Sequence, residues 1–313
     1  MHDFTYDDGG RLCCAEVPLE RIAREVGTPV YCYSLPTLRR HIQAFEEPLA
    51  GIDHQTCFAM KANSNMAILT LMGRHGLGAD VVSGGELFRA LKAGIPASKI
   101  VYSGVGKRAD EIEYALFELG AEDFAFTDDA LLLDAPHHFE KIADEFLRRG
   151  LQARFHTPNS VFSSAISPSV AEKMRAMNFQ TIRLSLETTN AERLRAMNRK
   201  MFPPHFETAM KNLRAAGFGR KEIGAYIMAG MPGQDADETL EAIEFAKACG
   251  ARPHLAEYSP IPGTRAFFEA AAISRLDIRS EPLLHNNSIF YLLGGAIDMA
   301  AMEELKRVCA MND

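Results

Sequence analysis

Lys61 stands directly after the apolar run Cys57-Phe58-Ala59-Met60 and before Ala62-Asn63-Ser64-Asn65. A lysine at the apolar end of a strand sheds its proton more readily than one in open solvent, as an amine that traps a carbonyl must. The alternative is an ordinary surface lysine with a solvated head. Asp128, Asp129, His156, Asn159, Glu187 and Glu257 stand at or near the ends of other apolar runs. They are the donor types of a divalent-cation site, and equally those of a mutually satisfied polar rim. The segments 230–234 and 260–265, with Gly230, Gly233, Gly263 and Thr264, follow two further runs. Backbone N–H groups in such positions commonly receive phosphate. Cys13, Cys14, Cys32, Cys57, Cys249 and Cys309 lack the paired spacing of a zinc or iron–sulfur site and read as buried thiols.

These residues need a scaffold that brings strand ends together. Short apolar runs at 56–60, 79–82, 100–103, 123–127, 153–156, 181–186, 223–229 and 254–258 alternate with amphipathic stretches at 65–74, 86–93, 110–119, 139–149, 170–177, 191–197, 206–216 and 237–249. This is βα repetition, and eight strands match barrel closure. A doubly wound open sheet is the alternative, but no GxGxxG turn follows the first run. The expected fold is α/β: a (β/α)8 barrel with a short N-terminal β extension over 1–34 and a helical tail over 283–313. The tail is expected to break at Gly294-Gly295.

With 47% apolar and 24% charged residues in 313, a sizeable core is expected. A net charge of -7 with scattered basic residues argues against nucleic acid or an anionic membrane as partner. No apolar run is long enough to span a bilayer, and the opening MHDFTYDDGG does not resemble a secretory signal, so a cytoplasmic location is expected. The expected partner is a small molecule at the barrel mouth. Unpaired edges of the N-terminal strands could join two copies into a homodimer.

The segments Gly27-Thr28-Pro29-Val30-Tyr31, Phe58 to Asn65, Gly78 to Leu87 and Ile100 to Lys107 resemble bacterial diaminopimelate decarboxylase, from the first residues to about Leu116. The resemblance implies an alanine-racemase-type barrel that uses pyridoxal 5'-phosphate. Lys61 would be the Schiff-base lysine and Asp80 a carboxylate close to it. That family also uses a histidine on the pyridine ring, a Gly-rich phosphate cradle, a glutamate on the ring nitrogen, and a Cys-Glu pair and tyrosine from a C-terminal β domain. No Glu-Pro-Gly-Arg stretch or equivalent cysteine motif follows Leu116.

From about Glu111 onward, segments such as Arg154-Phe155-His156-Thr157-Pro158-Asn159, Ile182 to Thr188, Gly230-Met231-Pro232-Gly233 and Tyr258 to Thr264 resemble the later part of a radical S-adenosylmethionine protein. The CxxxCxxC loop is missing, so no iron–sulfur cluster is implied. Glu187 and the loops holding Gly230, Gly233, Gly263 and Thr264 would face S-adenosylmethionine. Two resemblances in one chain lead to the expectation of an engineered or recombinant chimera. It would join a decarboxylase-like fragment over 35–116 to a radical-protein-like fragment over 117–282, spliced within about 108–120, without evolved turnover. The alternatives are a weak pyridoxal-phosphate-dependent lyase acting on an amino acid through Lys61, and a module that binds S-adenosylmethionine or a phosphate ligand.

Overall fold

A computed structural model describes residues 2–104, 106–128, 130–197, 202–286 and 294–311. The chain divides into two compact units, Met1–Ala121 and Glu122–Asp313.

The first unit opens with three short antiparallel strands, β1 (Phe4–Tyr6), β2 (Leu12–Cys14) and β3 (Val17–Pro18). Asp7 makes the first turn by accepting the N–H groups of Gly9 at 3.0 Å and Arg11 at 2.9 Å, the local bonding that favours aspartate in turns. Helices α1 (Leu19–Val26) and α2 (Leu35–Glu46) follow. Ser34 caps α2 by accepting from Thr37 N, and Pro36 occupies its first turn, where a missing N–H costs nothing. Asp3 accepts the Thr37 hydroxyl at 2.7 Å, which ties the β extension to the start of α2.

The βα rhythm then begins. Strands β4 (Cys57–Ala59), β5 (Gly78–Val81) and β6 (Ile100–Tyr102) form a parallel sheet in sequential order. Between them run α3 (Met66–Arg74) and α4 (Gly84–Lys92), and β6 leads into α5 (Ala109–Glu113), which ends in one π-helical turn. Leu69 of α3, Ala79 and Val81 of β5, and Leu87 and Ala90 of α4 form one buried cluster with Met60 and Ile95. The helices hide one face, so apolar residues recur at helical spacing.

The second unit is a five-stranded parallel sheet in the order β11-β10-β9-β8-β7. Its strands are β7 (Asp123–Ala125), β8 (Arg154–Val161), β9 (Phe179–Glu187), β10 (Ile223–Ala229) and β11 (Arg252–Glu257). The helices are α6 (Phe139–Arg148), α7 (Pro168–Ala176), α8 (Ala191–Ala196), α9 (Pro203–Ala215), α10 (Ala236–Ala248), α11 (Arg265–Ile273) and α12 (Met299–Ala310). The two faces of the sheet differ because side chains alternate. Ile182 and Leu184 of β9 and Ile223, Ala225 and Ile227 of β10 join the apolar core, and α7, α9 and α10 pack against these strands. Four phenylalanines anchor the core, with Phe179 within 6.0 Å, centroid to centroid, of Phe126, Phe139 and Phe155.

Gly224 shows why glycine is needed on the other face. A Cβ there would lie 2.8 Å from both Arg183 Cδ and the His254 ring, so glycine lets those side chains fold over the strand. Lys247 of α10 fastens the tail: its Nζ donates to the carbonyls of Val308 at 2.7 Å and Met311 at 3.1 Å, satisfying acceptors at the end of α12. The tail segment 287–293, just before Gly294, lies outside the described residues.

The α/β class and the N-terminal β extension are as expected, and each predicted strand and helix has a counterpart within a few residues. The expected ring of eight strands is borne out in its count alone: among the described residues three parallel strands lie in one sheet and five in another. Strands β4, β6 and β7 hold only three residues each, so each ladder offers few hydrogen bonds. Among the described residues no helix is long and apolar enough to cross a membrane. Phe179→Ala should lower the unfolding free energy of the second unit by about 3–5 kcal/mol through lost burial and a residual cavity; urea denaturation followed by circular dichroism measures it.

Candidate functional site

In the first unit the C-terminal ends of β4, β5 and β6 lie side by side. Ala59 pairs with Asp80 and Val81 with Tyr102, so Lys61 stands two residues beyond the partner of Asp80. Met60, 1% exposed, plugs the core, while Lys61 next to it in a 3-10 turn is exposed. Among the described residues no hydrogen bond or ion pair engages Lys61 Nζ, with Asp80 or any other group. The Ser103 hydroxyl donates to Asp80 Oδ1 at 2.6 Å, and Ser103 N–H donates to Val81 O at 2.8 Å.

The loop between β5 and α4 is held by carboxylates. Ser83 caps α4 by accepting from Glu86 N, and Glu86 in turn accepts from Val82 N at 2.8 Å. Glu111 accepts from Gly84 N at 2.7 Å and Arg108 N at 2.9 Å, and these bonds hold its carboxyl below the ordinary carboxylate range. Burial, with Glu111 as a lesser cause, pushes the Tyr102 phenol up to about 12. Lys107 Nζ lies 5.1 Å over the Tyr102 ring and donates to Gly104 O at 2.8 Å; burial lowers its basicity.

Thus Lys61 and Asp80 share one end of one sheet. Sequence reasoning gave no role to Tyr102, Ser103, Lys107 or Glu111. The first three lie in the Tyr102-Ser103-Gly104-Val105-Gly106-Lys107 stretch already singled out by resemblance, of which Val105 is outside the described residues.

The second unit carries a cleft of about 430 Å3 at the C-terminal ends of β8 to β11, lined by Asn159, Ser160, Ser185, Glu187, Tyr226 and Met228 among others. The Ser185 hydroxyl donates to Ser160 Oγ at 2.8 Å and the Tyr226 hydroxyl to Pro158 O at 2.9 Å. Glu187 is buried and has φ of 65°, the left-handed region that a non-glycine residue occupies at a cost. Close along the chain lies a polar network. Arg193 grips both oxygens of Glu238 at 2.6 and 2.9 Å, the Thr188 hydroxyl adds a bond at 2.9 Å, and Arg193 Nη1 donates to Pro232 O at 3.1 Å.

Glu187 therefore lines the cleft, whereas Gly230, Gly233, Gly263 and Thr264 do not. The three glycines have φ of 81°, 69° and 82°, as tight turns require. Polar groups of both loops are engaged internally. Gln234 Oε1 accepts Met231 N at 3.1 Å, and Thr264, the N-cap of α11, accepts Phe267 N at 3.1 Å and donates to Ile261 O at 2.8 Å.

The residues considered as cation ligands go to other partners. His156 bonds Thr181 at 2.9 Å and Asp123 at 3.1 Å, Glu257 pairs with Lys306 at 2.6 Å, and Asp129 lies outside the described residues. Among the described residues no group of three or more His, Cys, Asp or Glu side chains is placed to hold a metal ion.

Residues 35–172 match the family described as pyridoxal-dependent decarboxylase, pyridoxal binding domain. Over 116 residues the chain is 47% identical to the diaminopimelate decarboxylase of Vibrio cholerae, covering 37% of this chain and 28% of that protein. The chain thus spans well under a third of that relative's length. Among solved structures, diaminopimelate decarboxylase from M. jannaschii in complex with L-lysine is similar at 21% identity, covering 82% of this chain and 66% of that one, with a TM-score of 0.42. A radical S-adenosylmethionine methyltransferase from Kitasatospora setae is similar at 16% identity, covering 52% of this chain and 32% of that one, with a TM-score of 0.42. Both structural likenesses are too remote to bear on function.

The expectation of an engineered chimeric scaffold without turnover is overturned. The family match runs from 35 to 172, straight through the expected splice at 108–120, and the curated relative is a decarboxylase at 47% identity.

Asp123 yields a pH test. The Arg154 guanidinium, bonded to it at 2.7 and 2.6 Å, is the main cause that lowers its carboxyl from 3.8 to about 2, with His156 assisting. Because the folded value is depressed, this stabilisation is fully present above the unfolded value and is lost as pH falls through the folded one. Acid unfolding of Asp123→Asn, followed by fluorescence or circular dichroism, should therefore show a shallower loss of stability between about pH 4 and 2 than the parent protein.

Proposed function

We propose that this chain is a pyridoxal-phosphate-dependent decarboxylase acting on an amino acid, with Lys61 as the amine that holds the cofactor's aldehyde. The observation that carries the reading is the match to a pyridoxal binding domain over 35–172, which contains Lys61, together with the 47% identity to a diaminopimelate decarboxylase over 116 residues. The substrate suggested by that relative is a diamino dicarboxylic acid.

The side chains fit such a cofactor. Lys61 is exposed at the edge of a buried apolar cluster, and the end of the same sheet offers the Asp80 carboxylate with the Ser103 hydroxyl attached. When bound, pyridoxal phosphate supplies an electron sink for the charge left by departing carbon dioxide. The chain's own part is to hold and orient. Lys61 Nζ would hold the cofactor through its aldehyde, a task that needs a neutral amine. Asp80 offers a carboxylate at the same end of the sheet, and the buried Met60 next to Lys61 keeps water from the apolar side.

Adding pyridoxal phosphate to the purified protein should give an absorbance band near the visible edge that disappears in Lys61→Ala, with release of carbon dioxide from a diamino dicarboxylate in the parent alone. A spectrum indifferent to Lys61 would reject the reading.

One observation favours a second reading, in which the cleft of the second unit binds a small cationic ligand such as S-adenosylmethionine. The buried Glu187 carboxylate lines it in a conformation that costs energy to hold. Gly230, Gly233, Gly263 and Thr264 would then shape the loops flanking that ligand rather than touch it. Calorimetry with S-adenosylmethionine should give a heat of binding that Glu187→Gln abolishes; no heat up to millimolar ligand counts against it.

A further inference from the structure

We infer that Ser103 is a positioning residue of the Lys61 site, orienting the Asp80 carboxylate by a charge-assisted hydrogen bond. This rests on the pyridoxal-phosphate reading above. Asp80 sits on the central strand of the three, paired through Ala59 to the strand that leads into the Lys61 turn and through Val101 to the strand that ends before Ser103. Asp80 thus stands between the strand that leads to the amine-bearing turn and the strand that leads to the hydroxyl, and its carboxylate takes the hydroxyl's bond.

The 2.6 Å separation between Ser103 Oγ and Asp80 Oδ1 falls in the range of an O–H donor bonding an ionised oxygen, roughly twice as strong as a neutral pair. Among the described residues Ser103 is the side-chain donor recorded for Asp80, and no ion pair competes for that carboxylate. Its orientation therefore depends on one hydroxyl.

The hydroxyl is itself held from both sides. Ser103 N–H donates to Val81 O at 2.8 Å, continuing the parallel ladder one residue past β6. Gly104 then turns the chain at φ of 88°, and a Cβ there would meet Val82 O at 2.9 Å. Glycine at 104 thus lets the backbone close on β5 and fixes the Cα from which the hydroxyl projects. Among the described residues the other acceptor near Ser103 Oγ is Val81 O at 3.5 Å, too long to compete.

A serine acting only as a small surface residue would tolerate alanine at this site. A positioning serine would not, and threonine, which keeps the hydroxyl, would substitute for it. Three variants, Ser103→Ala, Ser103→Thr and Asp80→Ala, separate these cases.

In the cofactor-free protein at neutral pH, the 13C carboxyl resonance assigned to Asp80 by its loss in Asp80→Ala should move in Ser103→Ala and return in Ser103→Thr. With pyridoxal phosphate, Ser103→Ala should bind about tenfold more weakly, as expected for one charge-assisted hydrogen bond. Ser103→Thr should stay within about twofold of the parent, and thermal unfolding of the two variants should coincide. An Asp80 resonance unmoved by Ser103→Ala, or a threonine variant as weak as the alanine one, overturns the role of Ser103. A parent protein that forms no Lys61-dependent band overturns the decarboxylase reading instead, and the cofactor-free resonance separates the two failures.

Discussion

Parallel pairing in register is the constraint on which the rest of this protein depends. A parallel ladder forces neighbouring strands to end on the same side, and the next helix must return across the sheet before another strand can begin. Ala59 opposite Asp80 and Val81 opposite Tyr102 therefore gather Lys61, Asp80 and Ser103 at one edge, although 42 positions separate the first from the last in the numbering. A slip of one residue in either ladder would turn Asp80 to the other face and leave Ser103 without its acceptor.

The same constraint divides the labour in the second unit. One face of β9 and β10 is apolar and lies beneath helices, while the other carries Ser185, Tyr226 and Met228 into a cleft. The core that results is dominated by rings meeting around Phe179, whose mutual contacts supply both area and geometry. Carboxylates fasten the loops at the strand ends. Glu111 holds the start of α4, and Glu238 takes the Nε and Nη2 donors of Arg193, a mostly buried pair with side chains 12% and 16% exposed. A carboxylate that satisfies backbone N–H groups or a guanidinium from elsewhere in the chain costs less to hide than an unpaired one and fixes where a loop can go.

One expectation was overturned and another was met only in part, each for a physical reason. Counting eight apolar runs suggested one closed ring, but the count does not say which edges meet. Three-residue strands such as β6 and β7 contribute too few ladder bonds for pairing to be read from pattern. The inert-chimera expectation treated a change of resemblance near Leu116 as a seam. The match over 35–172 carries one family's pattern past that point, through β7 and β8 and into α7.

The sequence alone determined the order of elements, because the periods of 2 and 3.6 residues and the turn residues are local properties. It marked Lys61 because an amine directly after an apolar run is visible in one dimension, and Asp80 and Glu187 because the resemblances singled them out. Only the tertiary structure decided that the Ser103 hydroxyl lies 2.6 Å from Asp80, that His156 is spent on Asp123 and Thr181, and that Gly230 and Gly263 serve turns outside the cleft. Each of those facts is a contact between side chains or loops brought together by sheet register, and register is set by non-local hydrogen bonding that no single stretch of residues contains.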